Sequence, residues 1–187
     1  MKYIDKKNAL KICYFMMAAD GLISDTEWSK FDELGYLLDD AVYDTYKSDL
    51  LWECKQQALT VTEGDPVFHL MNAIDRELAG ATDIQTDRTI PGRLQVWNML
   101  TIALCDRGYA DSERRLVEEA VRKLEVDEKD FREMEHTLIA ANAVAMEESL
   151  IRERETGNED VKLQLKNLKE RERVISAHAR EQMTGRK

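Results

Sequence analysis

The chain has 187 residues, of which 43% are hydrophobic and 34% are charged, and it contains only 2 prolines and 8 glycines. This length suits one domain with or without an appendage, and the low proline and glycine content excludes a collagen-like or mainly disordered chain. The formal net charge is −10. No apolar stretch approaches the ~18 residues that a membrane span needs, so we expect a protein without a membrane span, located in the cytoplasm.

The negative charge is concentrated in the first three quarters of the chain. Residues 147–187 contain 10 basic and 9 acidic residues, so residues 1–146 carry a net charge of −11. Duplex nucleic acid is bound mainly through Lys and Arg side chains that neutralise phosphates, so a nucleic-acid partner is not expected. An acidic surface instead favours cations or a protein partner that is basic or membrane-associated.

Residues with high helix propensity dominate the composition, and they predict an all-α bundle of about seven helices. Apolar periodicity, capping residues, Pro66 and Gly80 predict where these helices begin and end. The seventh helix carries the apolar residues Phe131, Met134, Leu138 and Ile139. Residues 80–92 form the one long connection. The seven predicted helices cover about 6–19, 24–38, 45–60, 66–79, 93–105, 111–124 and 128–145.

The last part of the chain differs in character from the rest. Residues 147–187 are mostly charged and are interrupted at 156–158, so we expect a domain over 1–146 followed by a charged helical extension over 147–187. A thin apolar stripe within the extension leaves two alternatives open, a solvent-exposed helix or a weak coiled-coil seam that forms a homo-oligomer. The stripe consists of Val161, Leu165, Leu168 and Ile175.

An internal repeat with a period of 86 residues is the strongest pattern in the sequence. The segment Asp20–Glu27 aligns with Asp106–Glu113, and each contains Asp, four residues, Asp, one residue and Glu. The apolar positions before and after the motif coincide as well, which gives repeat units at about 6–40 and 93–126. Two helix–turn–helix units of one kind predict a bundle with a pseudo-twofold axis.

The two copies of this motif are Met17-Ala-Ala-Asp-Gly-Leu-Ile-Ser-Asp-Thr-Glu27 and Ala103-Leu-Cys-Asp-Arg-Gly-Tyr-Ala-Asp-Ser-Glu113. The first copy closely resembles the turn of the tellurite-resistance TerB-like family, which also includes the N-terminal domain of membrane-linked DnaJ-type co-chaperones. The second copy departs from the family pattern because Arg107 and Gly108 stand where Asp is usually followed directly by Gly. The resemblance covers about residues 6–140.

The resemblance to the TerB-like family implies an all-helical domain with an acidic face that binds a cation. It further implies a link to tellurite resistance and to metal or chemical stress, and no enzymatic activity. No organic cofactor is expected. The residues themselves also favour a protein without enzymatic activity or an organic cofactor, because no nucleophile, cofactor motif or catalytic histidine accompanies the acidic pairs.

Four carboxylates are the candidate ligands of a divalent cation such as Mg²⁺, Ca²⁺ or Mn²⁺. They are the first and last residues of the two motifs: Asp20, Glu27, Asp106 and Glu113. Hard cations need several oxygen ligands, so the four must converge across the pseudo-twofold axis. Asp25 and Asp111 are expected in an outer position. An EF-hand is excluded because Met16 and Ala18 occupy its first two ligand positions.

Two other interpretations of the motifs remain open. In the first, the acidic residues only cap helices, with Ser24 and Glu27 forming a capping box and Asp20 holding backbone amides in a turn. The second copy fits this less well because Ala110 replaces Ser24, unless Asp111 serves as the cap. In the second interpretation, the chain is a protein–protein interaction module without a bound ion, and basic residues of the extension contact an acidic face of another copy.

Overall fold

The computed structural model describes residues 1–59, 65–106, 109–153 and 159–184. These residues form eight α-helices and two three-residue strands, which confirms the predicted all-α class. In chain order the elements are β1 (Tyr3–Asp5), α1 (Lys6–Met17), α2 (Asp25–Asp39), α3 (Tyr43–Leu59), α4 (Pro66–Leu78), β2 (Thr89–Pro91), α5 (Gly92–Ala103), α6 (Asp111–Lys123), α7 (Glu128–Glu153) and α8 (Glu159–Thr184).

Helices α1 and α5 form the centre of the bundle. The second half of α1, from Ile12 to Met17, is buried on every side, because its residues are apolar all round the helix. Helix α1 packs against α2, α3, α4 and α5, while α5 also packs against α6, α7 and α8. The side chain of Asp5 begins α1 by accepting hydrogen bonds from the backbone N–H groups of Lys7 and Asn8.

The two strands lie on the pseudo-twofold axis of the molecule. They are antiparallel, and Ile4 lies opposite Ile90, which is the residue 86 positions later. The two flanking pairs are related by the repeat: adding 86 to the lower residue number of one pair and subtracting 86 from its higher number gives the other pair. These pairs are Tyr3 with Pro91 and Asp5 with Thr89.

The hydrogen bonds beside the strands follow the same symmetry. The N–H of Gly92 donates to the carbonyl of Lys2 at 2.8 Å, and the N–H of Lys6 donates to the carbonyl of Arg88 at 2.9 Å. Lys6 corresponds to Gly92 and Lys2 to Arg88 in the 86-residue repeat. The axis therefore passes between Ile4 and Ile90 and relates a first unit, β1 to α4, to a second unit, β2 to α8.

The element boundaries agree with this division. Strands β1 and β2, helices α1 and α5, and helices α2 and α6 each begin 86 residues apart. The connection predicted over 80–92 contains β2, and it also returns to the first strand through paired hydrogen bonds between Tyr3 and Thr82 at 2.7 and 2.9 Å. The sequence analysis did not foresee either strand.

The charged C-terminal residues continue the second unit. Helix α7 runs through the predicted domain boundary at 146/147 and forms an antiparallel hairpin with α8. A small apolar cluster is buried between the two helices and consists of Val144, Ile151 and Leu168. Farther along α8, the carbonyl of Gln182 accepts a hydrogen bond from Arg93 of α5 at 3.1 Å. Helix α8 thus packs against α5 as α4 packs against α1, but α4 also packs against α6. The predicted interruption at 156–158 lies outside the described residues.

None of the eight described helices combines the length and the apolar character that crossing a membrane requires.

Candidate functional site

The four predicted carboxylates lie at the two turns that join α1 to α2 and α5 to α6. We call Asp20, Glu27, Asp106 and Glu113 the acidic junction. Each aspartate follows the end of a central helix, and each glutamate lies in the first turn of the next helix. The aspartates are exposed, whereas only 2% of Glu27 and 5% of Glu113 is exposed.

The first turn is stabilised by a complete capping box. The N–H of Ser24 donates to Oε2 of Glu27 at 2.7 Å, and the N–H of Glu27 donates to Oγ of Ser24 at 3.2 Å. Oδ1 of Asp20 accepts a hydrogen bond from the N–H of Leu22 at 2.9 Å, which closes the turn before the helix. Gly21 has a φ of +83°, a backbone conformation that favours glycine at this position. The helix caps predicted for Ser24, Glu27 and Asp20 are therefore present.

The second turn keeps only half of this arrangement. The N–H of Ala110 donates to Oε2 of Glu113 at 2.8 Å, but Ala110 has no side-chain acceptor to return the hydrogen bond. Asp111 does not replace it, because Asp111 is the first helical residue and Ala110 occupies the cap position. Arg107 and Gly108, where the motif departs from the TerB-like pattern, lie outside the described residues. Asp25 and Asp111, the predicted outer groups, are exposed in the first turns of α2 and α6.

The four carboxylates interact electrostatically across the two units. The pKa of Glu113 is raised to about 7, mainly by burial; the hydrogen bond from the Ala110 N–H lowers it, and the charges of Asp106, Glu27 and Asp20 contribute to the rise. Burial also raises the pKa of Glu27, to which Asp106 and Asp20 contribute, although the hydrogen bonds from Ser24 lower it. Side chains from both copies of the motif therefore share one negative region.

Cys105 lies next to the junction. The pKa of its thiol is raised to about 12, mainly by burial and then by the negative charges of Glu27 and Asp106. The charge of Lys30 lowers it. A residue just beyond the C-terminal end of α5 is thus close to a glutamate of α2, in agreement with the packing of these two helices. The thiol is therefore protonated at neutral pH in the absence of a metal ion.

Three of the four junction carboxylates form no ion pair in the part of the chain that is described. No ion pair there involves Asp20, Glu27 or Glu113, and the nearby Lys30 is paired with Glu33 at 2.5 Å. Within the same residues, no group of three or more His, Cys, Asp or Glu side chains is arranged to hold a metal ion. The carboxylates have the chemistry that hard cations prefer, but their side chains must move to surround one.

The sequence analysis missed an apolar row on α7. Ile139, Met146 and Leu150 are 46%, 40% and 56% exposed, and Ala143 between them is exposed as well. We call Ile139, Ala143, Met146 and Leu150 the α7 row. The row begins beside Cys105 and Tyr109, close to the junction. Its spacing of four, three and four residues marks one helix face and is the sequence signal that was overlooked.

No protein-family model matches the chain, and no curated protein or solved structure shows significant similarity to it. The fold and the site define an all-helical protein built from two related units with an acidic junction between them. The resemblance to the TerB-like family rests on the two turn motifs alone.

Proposed function

We propose that this chain is a non-enzymatic, TerB-like helical domain of the cytoplasm that binds a divalent cation at the acidic junction, in a response to metal or chemical stress. The observation that carries this proposal is the mutual influence of four carboxylates from two symmetry-related turns. Mg²⁺, Ca²⁺ and Mn²⁺ are the candidate ions, because all three accept carboxylate oxygens as ligands.

The electrostatics of the junction favour an ion. Glu113 is buried, and its charged form is further disfavoured by three neighbouring carboxylates. A divalent cation reverses this situation, because it is attracted by all four charges and removes their mutual repulsion. One oxygen of Glu27 and one of Glu113 already accept a backbone N–H, so a bound ion would use the other oxygen of each glutamate. The exposed Asp20 and Asp106 provide the entry side.

Thermal unfolding of the full chain tests this proposal. The melting temperature is measured in chelator and in millimolar Mg²⁺, Ca²⁺ or Mn²⁺, because a ligand that binds only the folded state stabilises it. At a concentration tenfold above Kd, the gain is about 1.4 kcal/mol, which raises the Tm by about 3–5 °C for a chain of this size. The variant Asp20→Asn/Glu27→Gln/Asp106→Asn/Glu113→Gln is expected to lose this increase.

A matched control separates a specific site from a general charge effect. The variant Asp40→Asn/Asp49→Asn/Asp87→Asn/Glu172→Gln removes the same number of charges at exposed positions away from the junction, and it should keep the full response to cations. If the Tm of the wild-type protein does not change with any of the three ions, or if both variants respond equally, the proposed cation site is wrong.

A second candidate function is a protein–protein interaction module without a bound ion. The α7 row favours it, because an apolar helix face that remains exposed is typical of a docking surface. The extension offers less support for contact through basic residues, because three of its arginines pair with glutamates of the α7–α8 hairpin. These pairs are Arg152 with Glu148, Arg171 with Glu147 and Arg173 with Glu170.

A further inference from the structure

A groove of about 520 Å³ lies between the C-terminal end of α5 and the side of α7. Leu104, Cys105 and Tyr109 form one wall, and Ile139, Ala143 and Met146 of the α7 row form the other. Its lining is therefore mostly apolar. The side chain of Asn142 donates a hydrogen bond to the carbonyl of Leu104, which fixes α7 against the end of α5 and keeps the groove in shape.

Helix α7 buries apolar residues against the main core and against α8, and it has a further apolar face that the described structure leaves exposed. Val144 and Ile151 point to α8 and are buried there. The α7 row lies on a different face, and all four of its residues are exposed in the described structure. It extends over 12 residues, from Ile139 to Leu150, or about 16 Å along the helix axis. A row of this spacing and length matches the apolar side of a partner helix of about three turns.

The first unit shows that the repeat itself does not require an apolar surface here. Residues 86 positions earlier than Ile139 and Ala143 are Glu53 and Gln57 of α3. Glu53 forms an ion pair with Lys11 at 2.8 Å, so the equivalent face of α3 is polar and is engaged within its own unit. The α7 row is therefore a property of the second unit and is not needed for the packing that the two units share.

The groove is negative at one end. Cys105 in its wall is followed directly by Asp106, and its thiol is influenced by the charges of Glu27 and Asp106. The charge of Lys30 also acts on this thiol in the opposite sense, but Lys30 is itself paired with Glu33. With a net charge of −11 on residues 1–146, the surroundings attract a positively charged ligand over a longer range as well.

We propose that the α7 groove binds an amphipathic helix of another protein, with apolar side chains along the α7 row and Lys or Arg side chains facing the acidic junction. The apolar contacts provide affinity, and the charge at the junction end sets the orientation and selects basic over acidic helices. This inference gives the interaction module of the second candidate function a location and a partner chemistry. It does not depend on a bound cation.

Fluorescence anisotropy with three synthetic peptides of about 18 residues tests the inference. The first has Leu at positions i, i+4, i+7 and i+11 and Lys on its polar face, the second has Glu in place of Lys, and the third has the composition of the first in scrambled order. Full-length protein is titrated against each peptide in chelator, which removes any effect of a cation. We expect the basic amphipathic peptide to bind at least tenfold more tightly than the other two.

Variants of the groove locate the binding site. Ile139→Gln/Leu150→Gln should weaken binding of the basic peptide at least tenfold, and Ala143→Arg should do the same by filling the groove with a positive side chain. Because these positions are exposed, their melting temperatures should stay close to wild type, and either variant suffices if the other misfolds. The control is Leu163→Gln, which replaces an exposed leucine on α8 and should not change the affinity.

Three results would overturn the inference. The first is equal affinity for the basic and scrambled peptides, and the second is unchanged binding by both groove variants. The third is concentration-dependent self-association of wild type, measured by sedimentation, that Ile139→Gln/Leu150→Gln abolishes, because the row would then be an interface between two copies. None of these results bears on the cation site, which is tested separately by the response of the Tm to metal ions.

Discussion

The strand and the first two helices of the two units correspond at an offset of 86 residues but carry different side chains, and the difference shows which interactions these elements require. Both units have a three-residue strand, a buried central helix, an aspartate after that helix and a buried glutamate that accepts a backbone N–H. The return hydrogen bond from Ser24 is absent at Ala110. A turn of this kind therefore needs its glutamate but not the hydroxyl of the cap.

The third and fourth helices differ more. The α3–α4 pair of the first unit is 17 and 13 residues long, whereas α7 and α8 each have 26 residues. The extra length carries a second apolar cluster around Leu168 and leaves the α7 row exposed. The second unit thus retains the shared packing near the axis and adds a hairpin with surfaces of its own. Three pairs of substitutions test this comparison.

The largest effect is expected from Leu168→Ala. Leu168 is buried between α7 and α8, so its truncation should lower the free energy of unfolding by about 3 kcal/mol. Leu163→Ala on the same helix, where the leucine is exposed, should change it by less than about 0.5 kcal/mol. Urea unfolding of both variants measures the difference. Equal, small effects would show that the hairpin contributes little to the stability of the second unit.

A smaller effect is expected from Glu113→Gln, and it depends on pH. Because the pKa of Glu113 in the folded state is about 7, above its ordinary value of 4.5, the stability of wild type should fall as the pH rises from about 4.5 to about 7. Glutamine still accepts the Ala110 N–H but carries no charge. At pH 8 and without metal, the variant should be more stable than wild type by about 2 kcal/mol, and at pH 4 the difference should vanish.

The comparison with the first unit sharpens this prediction. Burial also raises the pKa of Glu27, but two hydrogen bonds with Ser24 oppose the change. Glu27→Gln should therefore give a smaller gain at pH 8 than Glu113→Gln. Unfolding in urea between pH 4 and pH 8 measures both variants. If the pH dependence of Glu113→Gln equals that of wild type, Glu113 ionises normally and the two junction glutamates do not differ.

The smallest effect is expected from exchanging the cap residues of the two units. Ser24→Ala removes an acceptor for the N–H of Glu27 and should cost about 1 kcal/mol. Ala110→Ser introduces the missing acceptor and should gain about 0.5–1 kcal/mol. In thermal unfolding, the double variant should lie close to wild type. A loss of stability in Ala110→Ser would mean that the second turn differs in backbone conformation from the first.

The helices were largely predictable from the sequence because their signals are local. Ser24 and Glu27 define the start of α2, Pro66 is the first residue of α4, and the 86-residue repeat predicted corresponding starts for α5 and α6. The same repeat predicted that the acidic residues belong to equivalent turns. It could do so because equal apolar patterns place equal segments in equal positions of a symmetric bundle.

The features that were missed depend on long-range contacts. Strands of three residues have no recognisable pattern, and β1 and β2 exist only because Ile4 and Ile90 meet across the axis. Whether a face of α7 is buried depends on where α8 packs, so periodicity alone could not separate the buried Ile151 from the exposed Leu150. The protonation of Glu113 likewise depends on side chains that are distant in sequence.

The pairing of Ile4 with Ile90 has a consequence for how the two units assemble. Two identical chains around a twofold axis would form the same antiparallel pair, but they would have to find each other in solution. A three-residue strand pair contributes too little to hold such a dimer at low concentration. Here one chain connects both strands, so their effective concentration is fixed by the tether and does not change with dilution. One chain thus contains the symmetric arrangement that two identical chains would otherwise have to form, and its two halves can carry different residues at equivalent positions.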